Sequence, residues 1–152
     1  KDGAAAIRTA LGGVDTSFVD LKGGTTGQVL AKATGTDLDY TWTTITDPNV
    51  LTFNAQTGTT YTLVAGDIAP KFVTCSNASA ITVTVPPSVF TAGQQINVQQ
   101  IGVGQVTFSQ GAGVTITSTG ATASAPKITS RYGAATIICT ASNTFTIIGG
   151  LS

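Results

Sequence analysis

From residue 49 onward the chain alternates apolar and polar residues in short runs. Ile81, Val83 and Val85 fall on one side of a run, and Thr82 and Thr84 on the other. The same period of two recurs at Ile96/Val98, Val106/Phe108, Val114/Ile116 and Phe145/Ile147. That period belongs to a strand, because successive side chains leave a pleated backbone on opposite faces. Turn signals separate the runs: Ala65-Gly66-Asp67, Ser76-Asn77-Ala78, Pro86-Pro87, Ala92-Gly93, Gly102-Val103-Gly104, Gly111-Ala112-Gly113 and Ser142-Asn143. Their spacing, mostly about 8–12 residues, is that of a sandwich or barrel. Strands are expected near 50–54, 60–64, 71–75, 80–85, 95–101, 105–109, 113–118, 126–130, 135–140 and 144–149. The last two flank a short Ala-Ser-Asn turn and should form a hairpin, and Pro86-Pro87 should end a strand. Strands with one polar face belong to antiparallel sheets. The expectation for residues 48–152 is therefore a mainly β domain, an antiparallel β-sandwich or a barrel-like variant of one.

Composition agrees. The seven acidic residues are all Asp, and the chain has no Glu, Met or His. Helix formers are thus scarce, while Thr, Val, Ile, Gly and Ser favour strands and turns. Hydrophobic residues make up 41%, enough to argue for a packed core over disorder. Charged residues make up only 9%, and the net charge is zero. The five Lys and two Arg are scattered, so no basic patch exists to hold a polyanion, and a nucleic-acid partner is not expected. No apolar run reaches the roughly 18 residues of a membrane-spanning helix, so membrane insertion is not expected. Ala4-Ala5-Ala6-Ile7 is too short for the apolar stretch of a secretion signal, and Arg8 interrupts it. Cys75 and Cys139 sit in apolar strand-like runs. They read as buried free thiols. A disulfide would need their Cα atoms within about 7 Å of each other. With no His and two distant Cys, no metal-ligand spacing is present, and neither metal nor cofactor is expected.

The first 47 residues differ. Over residues 1–20 a short helix is expected. Asp2 can cap it, Ala4, Ile7, Ala10 and Leu11 give it an apolar stripe, and Gly12-Gly13 stops it. Two or three turns do not hold alone in water, so this segment should pack on something, either its own chain or a copy of itself. Over residues 21–47 two short runs, Gln28–Thr34 and Asp37–Thr43, flank a Gly35-Thr36 turn. Gly23, Gly24 and Gly27 precede them and permit backbone angles closed to other residues. Leu38, Tyr40 and Trp42 alternate in the second run, while Val29/Ala31 and Leu30/Lys32 take opposite faces of the first. A lone two-stranded hairpin is marginal, and a segment this small cannot build its own core. Ile7, Leu11, Val29, Leu30, Leu38, Tyr40 and Trp42 are accordingly the expected oligomer contacts. Asp47-Pro48 closes the region.

Catalytic signals are weak. Proton transfer near neutral pH wants His, Glu or paired Asp, and here only Asp37 and Asp39 are close in sequence. They read as a turn former and a solvated strand end. A Ser or Thr nucleophile lacks a histidine base. Gly102-Val103-Gly104 and Gly111-Ala112-Gly113 lie between strands with no helix following, which fails the context of a phosphate-binding loop. No enzymatic activity is expected. Exposed aromatics could stack on sugars, and Tyr61, Phe90 and Tyr132 are the candidates, since the other aromatics fall on alternating core positions. Arg131 and Tyr132 are singled out as a possible ligand contact because they follow Thr129-Ser130 in a loop and form a common contact pair.

Two stretches carry a resemblance. Gly23, Gly24, Thr25, Thr26, Gly27, Gln28, Val29 and Leu30, followed by Asp37, Tyr40 and Trp42, resemble a segment of tailed-bacteriophage head fibres, tail fibres and minor tail proteins. Thr60–Asp67, Lys71–Pro87, Ala92–Ile116 and Ala135–Leu151 are similar to the C-terminal domain of many phage fibre proteins. Phe145 stands where that pattern usually carries Trp. The resemblance implies a structural virion protein, a homotrimeric fibre or capsid-decoration protein projecting from the particle's exterior. Residues 1–20 would attach it to capsid or tail proteins, residues 21–47 would form an inter-chain neck, and residues 48–152 an outer knob. A second implication is a receptor-binding tail-fibre tip that recognises a host surface glycan.

Overall fold

The computed structural model describes residues 23–37, 39–45, 47, 49–118 and 125–152. The helix expected over residues 1–20, with Ile7 and Leu11, lies outside the described residues, and so does Leu38. The chain divides into two units, Lys1–Asp47 and Pro48–Ser152.

In the first unit, β1 (Gln28–Lys32) and β2 (Tyr40–Thr44) pair antiparallel. The lead into β1 is closed by a reciprocal pair: Gln28 N donates to Thr25 O at 3.1 Å, and Thr25 N donates to Gln28 Oε1 at 2.8 Å.

The second unit is mainly β, but its winding is not that of an antiparallel sandwich. Its strands in chain order are β3 (Thr52–Gln56), β4 (Thr60–Thr62), β5 (Lys71–Cys75), β6 (Ile81–Val85), β7 (Gln95–Gln100), β8 (Val106–Gln110), β9 (Thr115–Ser118), β10 (Ala134–Ala141) and β11 (Thr144–Gly149). A short 3₁₀ turn, Ala65–Asp67, lies between β4 and β5. One sheet has the order β3-β5-β7-β10-β11-β9, and the other has the order β4-β6-β8. From β3 to β8 each strand enters the opposite sheet from the one before. From β5 to β8 each strand also pairs parallel with the strand two places earlier. The backbone thus winds in three coils, as a short solenoid. Between the second and third coils the offset is 25 residues in both sheets, with Phe72 beside Asn97 and Ile81 beside Val106.

The physical reason for the correction is the nature of the crossover. Parallel strands lose their polar face when helices cover the sheet. Here each crossover is a strand of the opposite sheet, so every outward face stays wet and the alternation survives. The proposed strand at 126–130 is also reduced. Only isolated bridges occur there, Thr107 with Lys127 and Ile128 with Leu151. Phe108 N donates to Pro126 O and Ile128 N donates to Val106 O, both at 2.9 Å, so this segment covers the free edge of β8. The final hairpin does form: β10 and β11 pair antiparallel, and β10 also pairs antiparallel with β7.

The core lies between the two sheets. Val73, Val98, Val83 and Phe108 are fully buried, and Ile96, Ile137 and Ile147 stand side by side across β7, β10 and β11. Cys75 and Cys139 are buried free thiols, and the Cys139 thiol donates to Ala141 O at 3.3 Å. The coil corners are stacked through Asn77. Its Nδ2 donates to Thr57 O in the first coil at 2.6 Å, and its carbonyl accepts Gly104 N of the third coil at 2.9 Å. A Cβ at Gly104 would stand 1.8 Å from Ser79 O, and one at Gly102 would stand 2.4 Å from Asn77 N. The Gly102-Val103-Gly104 segment is glycine-rich because backbones of adjacent coils touch there.

Candidate functional site

The hairpin puts Leu30 opposite Trp42 and Lys32 opposite Tyr40, so these four share one face, while Val29 lies on the other. Trp42 is half-buried, and Tyr40 and Val29 are exposed. The indole is covered by the glycine pair that leads into the hairpin. A Cβ at Gly24 would come within 2.7 Å of Trp42 Cδ2 and Cε3, and one at Gly23 within 3.2 Å of Nε1. Gly24 also has φ +78°, in the left-handed region. Only glycine satisfies both the angle and the contact. Trp42 Nε1 is shielded from solvent and has no acceptor among the described residues. The two aspartates of the turn have separate structural partners. Asp37 forms an exposed ion pair with Lys32 at 3.4 Å, and the Asp39 carboxylate accepts the Thr34 hydroxyl.

Arg131 and Tyr132 lie together on an ordered turn ahead of β10. Tyr132 has φ +65°, which is rare for a bulky side chain. Its N donates to Gln100 O at 2.7 Å, and its carbonyl accepts Gln99 Nε2 at 3.2 Å. Arg131 Nε donates to Ile101 O at 2.8 Å, and its guanidinium carbon sits 4.7 Å over the Tyr132 ring. Tyr132 remains 61% exposed, so the strained backbone presents a cation-stacked phenol to solvent. The pair can stack and donate hydrogen bonds, which suits recognition.

The other two aromatic candidates serve the interior. Phe90 is buried, edge-on to Phe145 with centroids 6.1 Å apart, because the chain folds back there onto β11. Tyr61 belongs to a polar cluster that the sequence reading missed. Its hydroxyl donates to Asp67 Oδ2 at 2.8 Å. Asn54 Nδ2 donates to Asp67 Oδ1 at 2.7 Å, Val64 N donates to Asp67 Oδ2 at 2.9 Å, and Gln56 Nε2 donates to Asn54 Oδ1 at 2.7 Å. Asp67 is buried, and the Tyr61 hydroxyl, Asn54 amide and Val64 N–H all meet its carboxylate. Burial, and then the Asp67 carboxylate, push the Tyr61 phenol up to about 12. The available signal was Asn54 and Gln56, which occupy inward positions of a strand where the next coil has Val73 and Cys75.

The outer face of the larger sheet carries a second feature that was missed. In one row across the strands stand Phe53, Phe72, Asn97, Thr136 and Ile148. Phe53 meets Phe72 edge-on, with centroids 6.2 Å apart. Beside Phe72 the surface dips into a shallow recess of about 230 Å³, lined by Phe72, Asn97, Thr136 and Ile148 with Ala134, Ala135 and Gly149. The Thr136 hydroxyl donates to Asn97 Oδ1 at 2.9 Å. Phe53 and Phe72 were expected at core positions, but each stands next to an inward residue of its strand, Asn54 and Val73, and so takes the outer face.

No protein-family model matches this chain, and no curated protein compared with it matches.

Proposed function

We propose that the chain is a structural component of a tailed-phage virion, an oligomeric fibre or decoration protein on the particle's exterior. The observation that carries this reading is the contact of Gly23 and Gly24 with Trp42. The two ends of the phage-fibre motif meet, which gives a physical reason for those residues to occur together. The exposed Tyr40 and Val29 then remain for neighbouring copies. The number three rests on the resemblance alone. Light scattering on the purified chain should give the mass of three protomers. Tyr40→Ser with Val29→Ser should lower that mass and leave the Pro48–Ser152 unit folded. A monomer with an ordered hairpin would defeat the oligomer. Electron microscopy of labelled particles would place the chain on capsid or tail.

A second reading is a receptor-binding tip that contacts a host surface glycan. The exposed Arg131–Tyr132 pair on its tightly bonded turn favours it. In neither reading does the chain act as an enzyme. A sequence without His or Glu offers no ordinary proton-transfer pair near neutral pH.

A further inference from the structure

We infer that the recess on the outer face of the larger sheet binds one neutral pyranose ring. The inference rests on the glycan-contact reading and gives it a place other than Arg131–Tyr132. Three features carry it.

The first is the order of side chains in the row. Phe72 and Ile148 are apolar walls, and Asn97 and Thr136 lie between them. A pyranose has the same division, with C–H faces and a hydroxyl rim. An aromatic ring attracts the slightly positive C–H edge through its negative face. Phe53 holds Phe72 from the side away from the recess, which fixes the platform before a ligand arrives.

The second is hydrogen-bonding capacity. Asn97 Oδ1 is occupied by the Thr136 hydroxyl proton. The amide Nδ2 of Asn97 has no acceptor among the described residues, and the Thr136 oxygen keeps its lone pairs. One donor and one acceptor side by side match two vicinal sugar hydroxyls.

The third is charge and size. Outward positions of the six strands, including Gln95, Gln99, Thr74, Thr146 and Thr117, hold no Lys, Arg or Asp among the described residues. An acidic sugar or a phosphate would find no counter-charge there. The volume, about 230 Å³, falls below the roughly 300–1,000 Å³ of pockets that enclose drug-sized ligands. One ring fits, and a nucleotide or cofactor does not. Affinity should be weak, of millimolar order, for a shallow site of this kind. Several copies on one particle would raise it through avidity.

The test is a titration of the full ¹⁵N-labelled chain with glucose, galactose, mannose and N-acetylglucosamine, each to about 100 mM, a ceiling set by the expected weakness. At least one sugar should shift the Asn97 side-chain amide and the backbone signals of Thr136 and Ile148. Phe72→Ala should weaken binding about tenfold, and Asn97→Ala about fivefold. Val103→Ser, at an exposed corner outside both proposed contacts, should leave binding unchanged. Signals confined to Arg131 and Tyr132, unaffected by Phe72→Ala, would overturn the recess and leave the glycan reading standing. Silence of every signal would overturn the recess. A glycan array on the same protein then decides whether the glycan reading falls with it. A change in protomer number in Phe72→Ala, with sugar affinity intact, would make the row an interface between copies and overturn the inference.

Discussion

The first coil of the solenoid and the two that follow place different chemistry at equivalent positions. Asn54, Val73 and Val98 stand in line across β3, β5 and β7. Tyr61, Val83 and Phe108 stand in line across β4, β6 and β8. The second coil lies between two others, and the third is flanked by β10 and by the 126–128 segment, so their inward Val73, Val83, Val98 and Phe108 are apolar and fully buried. The first coil has β3 and β4 as outer strands of their sheets. Valine there would face water on one side. Asn54 and Tyr61 converge instead on the buried Asp67 carboxylate, and the core ends in a satisfied polar network. Terminal repeats of stacked architectures need such a change of chemistry. The third coil tolerates a buried Gln100 for a related reason. Its Oε1 accepts Val106 N at 2.9 Å, so the side chain closes its own corner.

If the two kinds of coil differ as described, truncations should separate them. The largest effect belongs to the apolar coils. Phe108→Ala removes a fully buried ring between packed sheets, and urea unfolding should show a loss of about 3–5 kcal/mol. Asp67→Ala comes next. It leaves the Tyr61 hydroxyl and Val64 N–H without their acceptor and the Asn54 amide with only the Tyr61 oxygen, which should cost about 2–3 kcal/mol. A loss below about 0.5 kcal/mol would mean that the polar network does not hold the first coil. Gly24→Ala lies outside the coils and is smaller, about 1–2 kcal/mol. It should perturb Trp42 fluorescence, because the added Cβ meets the indole, and leave the unfolding midpoint of the second unit in place.

The strand positions were readable because alternation reports burial directly. The pairing was not, because alternation reports only that one face is wet. A parallel solenoid and an antiparallel sandwich share that property. The distinguishing signal was the repeat itself. ITVTV at Ile81–Val85 and VTFSQ at Val106–Gln110 have the same offset as FVTC and NVQQ. A fixed offset in both sheets means a coil. Arg131 and Tyr132, expected together in a loop, do lie together on a turn, and Leu30, Tyr40 and Trp42 share a face. The glycine cover on Trp42 was not legible, since nothing local says what a glycine touches. Nor was the recess, because Phe72, Asn97 and Thr136 meet only through register.

The smallest effect tests the first coil through pH. The folded-state Tyr61 phenol titrates at about 12 instead of 10.0, first because burial disfavours the phenolate and then because Asp67 accepts its proton. Below pH 10 both folded and unfolded chains hold that proton, and the contribution to stability is fully present. Above pH 10 the unfolded chain releases it while the folded chain keeps it, so stability falls as pH rises towards 12. Tyr61 is only half-buried, so solvent reduces the effect to the order of 1 kcal/mol. Cys75, pushed up to about 11 by burial, and Cys139, raised by the same cause, act in the same direction at slightly lower pH. The comparison therefore belongs in a Cys75→Ala, Cys139→Ala background. There, Tyr61→Phe should be less stable than its parent by a constant amount up to about pH 9.5. The gap should then narrow as pH approaches 12. Parallel stability curves across that window would show that Tyr61 shares no proton with Asp67, and the polar end of the solenoid would need another explanation.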